Sequence, residues 1–152
     1  MQRIAVFPGS FDPITLGHVN IIRKGLLIFD KIIVGIGNNS EKKYMFPLNN
    51  REIWIKDCFV NEPRIEVKNY SGLTVEFCRK NNAGFILRGL RNASDFEFEK
   101  AISHTNNSIS PGIETIFVLS DVELSSISSS IVRDIIRNGG ATSSFIPPSV
   151  NF

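Results

Sequence analysis

A short apolar run, Arg3-Ile4-Ala5-Val6-Phe7, opens straight into Pro8-Gly9-Ser10-Phe11-Asp12-Pro13, and helical periodicity follows at once. No other stretch limits the fold as tightly. The run reads as a buried strand. Val19, Ile22, Leu26 and Phe29 then recur at the spacing of an amphipathic helix. Between them Pro8, Gly9, Pro13 and Gly17 interrupt regular structure, while Ser10, Thr15 and His18 bring hydroxyls and an imidazole. Gly9 and Gly17 leave room for backbone to approach a ligand. Thr15 is placed to cap the helix, which puts His18 in the first turn, where free backbone N–H groups attract anions.

The alternation of strand and helix continues. Ile32-Ile33-Val34-Gly35-Ile36-Gly37 is a second buried strand, running into the polar loop Asn38-Asn39-Ser40-Glu41-Lys42-Lys43. Asn49, with Glu52 three residues on, has the signature of a capping box opening a second helix. Its apolar positions are Ile53, Trp54, Ile55 and Phe59, and Trp54 is expected in the core. Arg64 to Lys68 reads as a third strand, and Tyr70-Ser71-Gly72-Leu73-Thr74 turns into a helix carrying Val75, Phe77 and Cys78. Phe85-Ile86-Leu87 is a fourth strand, with Arg88-Gly89-Leu90-Arg91 at its carboxyl end. Ser94 and Glu97 carry a second capping signature, predicting a long helix from about Asp95 to Ser108. Glu114 to Leu119 is the fifth strand. The serine run Ser125-Ser126-Ile127-Ser128-Ser129-Ser130 precedes a last helix with Ile131, Val132, Ile135 and Ile136, ending at Gly139-Gly140. The pattern predicts a single α/β domain over residues 1–152, a five-stranded parallel sheet with helices on both faces. Ligands of such sheets sit beyond the carboxyl ends of the strands. That places Ser10, His18, the Lys42 loop and the arginine pair around one crevice.

Composition narrows the partners. A net charge of +2 over 152 residues gives no argument for nucleic acid or a membrane surface. Cys58 and Cys78 lack metal or redox spacing and are expected as reduced thiols. No apolar run approaches spanning length and the start has no signal-peptide pattern, so a cytoplasmic location is expected.

Arg88 and Arg91 carry the clearest electrostatic argument. Arginine at the end of a buried apolar strand is costly unless it meets an anion. With Gly89 between them and a helix following, they form an anion-binding corner, or they close salt bridges with Asp95, Glu97 or Glu99. A helix N-terminus disfavours the imidazolium, so His18 reads as a neutral hydrogen-bond donor. That suits stabilising charge on a phosphoryl oxygen. Hydroxyls and free N–H groups at the start of the last helix suit phosphate as well. No His, Cys or carboxylate cluster has the spacing of a protein-built metal cage.

Gly9-Ser10-Phe11-Asp12-Pro13 with Thr15-Leu16-Gly17-His18 resembles the (H/T)xGH signature of the nucleotidylyltransferase superfamily. Arg88-Gly89-Leu90-Arg91 with Asp95-Phe96-Glu97-Phe98-Glu99, and Ile127-Ser128-Ser129-Ser130, resemble elements of its phosphopantetheine adenylyltransferase family. The resemblance runs from Arg3 to about Pro147. It implies a Rossmann-like fold and transfer of AMP from ATP to 4′-phosphopantetheine, giving dephospho-coenzyme A and pyrophosphate. It implies catalytic roles for His18, Lys42, Ser10 and Arg91, and an acceptor site at Ser10, Lys42, Leu73, Thr74 and Arg88. The implied ATP site takes in Ser10, Phe11, His18, Gly89, Leu90, Arg91 and Glu99. It continues through Leu124, Ser125, Ser126, Ile127, Ser128, Ser129 and Ser130. Mg²⁺ held mainly by the ATP phosphates and a homohexamer are implied too. The chain departs from the family at Thr74, where an apolar residue is usual, at Leu124 for Trp and at Phe98 for Tyr. Nicotinate or nicotinamide mononucleotide adenylyltransferases and cytidylyltransferases share the first motif, without the Arg88 to Glu99 element. An inactive nucleotide-binding sensor is the alternative outside enzymes.

Overall fold

A computed structural model describes all of residues 1–152. The elements in order are β1 (Ile4–Gly9), α1 (Leu16–Gly25), β2 (Lys31–Gly37), α2 (Leu48–Cys58) and β3 (Ile65–Tyr70). They continue as α3 (Thr74–Lys80), β4 (Phe85–Leu90), α4 (Ala93–Ile109), β5 (Glu114–Leu119) and α5 (Ser129–Arg137). A 3-10 turn over Val122–Leu124 precedes α5. The strands form one sheet in the order β3-β2-β1-β4-β5, every neighbouring pair parallel. Parallel pairs need long crossovers, and a helix supplies each one. The chain winds outward from β1 to β3, then returns to β4 on the other side of β1. This reversal opens a crevice between the carboxyl ends of β1 and β4, where ligands bind in sheets of this kind.

Side-chain alternation decides the layers. Ala5 and Phe7 of β1, with Ile32, Val34 and Ile36 of β2 and Leu87 of β4, meet Ile22 of α1, Trp54 and Ile55 of α2 and Val132 of α5. Ile146 and Val150 of the C-terminal tail close the same face. Val6, Ile33 and Ile86 point the other way, against Val75, Phe77 and Cys78 of α3. Each such aliphatic side chain taken fully out of water contributes about 1.5–3 kcal/mol. Gly89 is forced by packing, because a Cβ there would lie 2.7 Å from Cγ1 of Ile21. The close approach of β4 to α1 sets Arg88 and Arg91 beside His18.

Two expected caps are not formed. Helix α2 starts directly behind Pro47, with no side-chain cap. Proline's fixed φ already suits the entry. Glu52 instead pairs with Lys56 at 2.6 Å. Helix α4 starts at Ala93, its N-cap being Asn92, whose side chain accepts from the Asp95 N–H at 2.9 Å. Ser94 and Glu97 do not cap it, and Glu97 pairs with Lys100. The fourth strand also runs on to Leu90, so Arg88 and Gly89 are strand residues.

Candidate active site

Thr15 caps α1 as expected, and His18 completes the box. The Thr15 N–H donates to Nδ1 of His18 at 3.0 Å, and the His18 N–H donates to Oγ1 of Thr15 at 3.3 Å. With Nδ1 accepting, the ring proton belongs on Nε2. Burial pushes the His18 pKa down to about 4, and the positive charges of Arg88 and Arg91 push in the same direction. The imidazole is therefore neutral at physiological pH and presents a donor. Beneath it lies Phe11, ring centroids 5.0 Å apart, in a backbone conformation with φ of 48°. Gly9 has no Cβ because that atom would sit 3.1 Å from the Phe11 ring. Its smallness thus serves Phe11 as well as ligand approach.

Ser10 and Lys42 meet across the crevice, Nζ donating to Oγ at 2.9 Å. Lys42 has no carboxylate partner among the ion pairs. Asp12 is structural: 3% exposed, it accepts from the N–H groups of Met45 and Phe46 at 2.8 and 2.9 Å.

Both arginines close the salt bridges weighed above while staying in the crevice. Arg88 donates from Nε to Glu99 Oε2 at 2.9 Å, from Nη2 to Oε1, and from Nη1 to the Pro8 carbonyl at 2.8 Å. Three of its five N–H donors are thereby used, leaving two for a ligand. Glu99 is buried beneath it. Arg91 holds Asp95 through Nε and Nη2 at 3.0 and 3.1 Å, and this side-chain bonding keeps the Asp95 carboxyl below the usual range. The two ion pairs cancel in charge, and the net positive charge that the crevice offers a ligand comes from Lys42. Ser128 caps α5 by accepting from the Ile131 N–H at 3.2 Å. Ser129 Oγ donates to the Pro13 carbonyl at 2.8 Å, tying that helix to the first turn. The opening N–H groups of α5 have no partner within the helix.

Two cavities result. The larger, about 690 Å³, is walled by Ser10, Lys42, Tyr70, Thr74, Arg88 and α4 residues including Ile102 and Asn106. The smaller, about 250 Å³, is walled by His18, Ile21, Gly89, Arg91, Leu124, Ile127, Ser128 and Ser129. Pro8, Gly9, Arg88 and Glu99 belong to both. The remaining predicted residues Leu73, Phe11, Leu90, Ser125, Ser126 and Ser130 line neither. Phe11 and Leu90 are buried, Leu73 is exposed, and Ser125 donates to the Val122 carbonyl. No group of three or more His, Cys, Asp or Glu residues is arranged to hold a metal ion.

A family model described as cytidylyltransferase-like matches residues 6–135. The phosphopantetheine adenylyltransferase of Flavobacterium psychrophilum is 58% identical over 149 residues, 98% of this chain and 98% of that protein. Enzymes of the same name from Flavobacterium johnsoniae and Christiangramia forsetii are 55% and 53% identical, covering 98% and 96% of this chain and 97% and 96% of theirs. The chain belongs to the phosphopantetheine adenylyltransferase family.

Membership in the phosphopantetheine adenylyltransferase family makes the chain a nucleotidyltransferase-type enzyme with a Rossmann-like α/β fold. At one family departure, Thr74 accepts or donates a 2.8 Å hydroxyl bond with Tyr70, whose ring stacks on Phe77 at 4.3 Å. Leu124 walls the smaller cavity, while Phe98 turns outward, 67% exposed. The sequence gives no sign of Tyr70 at the end of β3 as a cavity residue, nor of Ile21 and the α4 residues Ile102 and Asn106, since a cavity wall in the middle of a helix carries no local signal. Arg51, 1% exposed beneath the turn, is missed as well. An arginine in an otherwise half-apolar helix start was the available hint.

Proposed function

We propose that this chain transfers AMP from ATP to 4′-phosphopantetheine, releasing pyrophosphate and forming dephospho-coenzyme A. The observation that carries the reading is the shared wall: two cavities of unequal size meet at Pro8, Gly9, Arg88 and Glu99. A long, partly apolar arm fits the larger, and a nucleotide fits the smaller. In this reading Ser10, Lys42 and the free donors of Arg88 hold the acceptor phosphate, with Thr74 and the neighbouring Leu73 backbone along the arm. His18, Arg91 and the N–H groups of Ser128 to Ser130 hold the ATP phosphates.

An oxygen of the acceptor phosphate attacks the α-phosphorus, a new P–O bond forms, and the bond to the bridging oxygen of pyrophosphate breaks. The acceptor is already ionised at neutral pH, so no general base is required. Catalysis rests on positioning and on donors aimed at developing charge. His18 Nε2–H supplies one such donor without proton transfer. The protein's acidic side chains in the crevice are committed to Arg88 and Arg91 and do not fit a resident metal. Mg²⁺ enters this reading on the ATP phosphates, whose charge it partly neutralises.

A homohexamer is part of the proposal. Support comes from α4 and the end of β5, where Phe98, Ile109, Leu119 and the following Val122 are exposed. No helix is long and apolar enough to cross a membrane, and both cysteines are free thiols, which fits the cytoplasm. The test is pyrophosphate release from ATP with each acceptor in turn. Turnover of 4′-phosphopantetheine is the expected result, and turnover of nicotinate mononucleotide alone would overturn the assignment.

A further inference from the structure

Arg51 is the largest fully buried side chain of the molecule, and it forms no ion pair. Its guanidinium spends its bonds on two carbonyls: Nε donates to Phe46 O at 3.0 Å, and Nη1 to Ser10 O at 2.7 Å. Burying a guanidinium costs several kcal/mol, and an apolar side chain would fill the volume more cheaply. What Arg51 does in return is join two segments. One is the turn that carries Ser10, the other the loop that carries Lys42. Asp12 makes the same connection in the opposite sense, from the turn to the N–H groups of Met45 and Phe46. Both backbone groups of Phe46 are therefore held by charge.

The link extends to Lys42 through Tyr44. The Tyr44 ring lies against the Arg51 guanidinium, 4.1 Å from centroid to Cζ, and the Lys42 Nζ is 5.5 Å from the same centroid. The Tyr44 hydroxyl accepts from Asn39 N–H at 3.0 Å and donates to the Gly37 carbonyl at 3.3 Å, at the end of β2. We propose that Arg51 is a positioning residue for the acceptor phosphate, its guanidinium fixing the separation of Ser10 and Lys42 through the Ser10 carbonyl and the Tyr44 ring. This rests on the acceptor site assigned above.

Arg51→Lys keeps a cation but cannot span both carbonyls, and Tyr44→Leu removes the ring between the two cations while leaving those bonds in place. Steady-state kinetics on each, normalised to folded protein by thermal melting, decides the matter. For Arg51→Lys, kcat falls roughly tenfold to a hundredfold, as a misplacement near 1 Å produces. The KM for the acceptor rises and the KM for ATP is unchanged. Tyr44→Leu gives the same split with a smaller fall. A lower melting temperature with wild-type kcat and KM in both variants overturns the proposal, as does a parallel rise in both KM values. If Arg51→Lys fails to fold, the split in Tyr44→Leu decides alone. A wild-type chain that ignores 4′-phosphopantetheine defeats the acceptor assignment separately, and the same comparison is then run with the phosphate monoester it does use.

Discussion

His18 and Thr15 cap each other: the imidazole occupies the place in the capping box that a carboxylate normally takes. A carboxylate there would repel a phosphate. The neutral ring satisfies the same backbone N–H through Nδ1 and turns a donor toward the crevice. Local helix chemistry and site chemistry are thus met by one residue.

His18→Gln tests that division. The amide oxygen can still accept the Thr15 N–H, so the melting temperature should change little. Loss of a transition-state contact should lower kcat roughly a hundredfold or more. ATP affinity by calorimetry should stay near the wild-type value. Wild-type turnover would remove His18 from the mechanism.

The depressed His18 pKa has a signed consequence. Between about 4 and 6.5 the unfolded chain binds a proton at this position that the folded one does not. Stability from this source is complete above 6.5 and is lost as pH falls toward 4, on the order of 3 kcal/mol. Denaturant titrations across this range should show a gentler acid slope for His18→Gln than for the wild type. Activity should show no limb at 6.5 from His18. A limb near 6 belongs to the acceptor phosphate's second ionisation and should persist in the variant.

Arg88→Met leaves Glu99 buried opposite an apolar side chain. Breaking such a pair costs about 3 kcal/mol. The melting temperature at neutral pH should fall accordingly. The KM for the acceptor should rise more than that for ATP. An unchanged melting temperature would show that Glu99 has found another partner.

Phe98→Asp puts a charge on the exposed α4 face. Analytical ultracentrifugation should show the wild type as a hexamer and the variant shifted to smaller species. A monomeric wild type would refute the assembly.

Much of this fold is legible in the sequence. The fifth strand, Glu114 to Leu119, matches its expected limits because it is a pure β-rich run between turn residues. In the fourth the apolar pattern stops at Leu87, because Arg88 interrupts it while the backbone continues the ladder to Leu90. Glu99 beneath the guanidinium makes that continuation tolerable. The Asn49 and Ser94 caps failed because Pro47 and Asn92, nearer the true starts, took over the entry. Pattern alone does not rank competing caps. Asp12 and Arg51 are illegible for another reason: the bonds that join the two segments run to backbone groups 33 to 41 residues away. The crevice residues Ser10, His18 and Arg88 are legible because strand ends and helix starts announce themselves locally.

The proposed transfer is a single displacement at phosphorus between two bound substrates. Turnover of ATP carrying a stereogenic α-thiophosphate reads it directly, because each in-line attack inverts the configuration. The expected product is a dephospho-coenzyme A analogue with inverted phosphorus. Net retention, the signature of two successive displacements through an adenylated side chain, would contradict it.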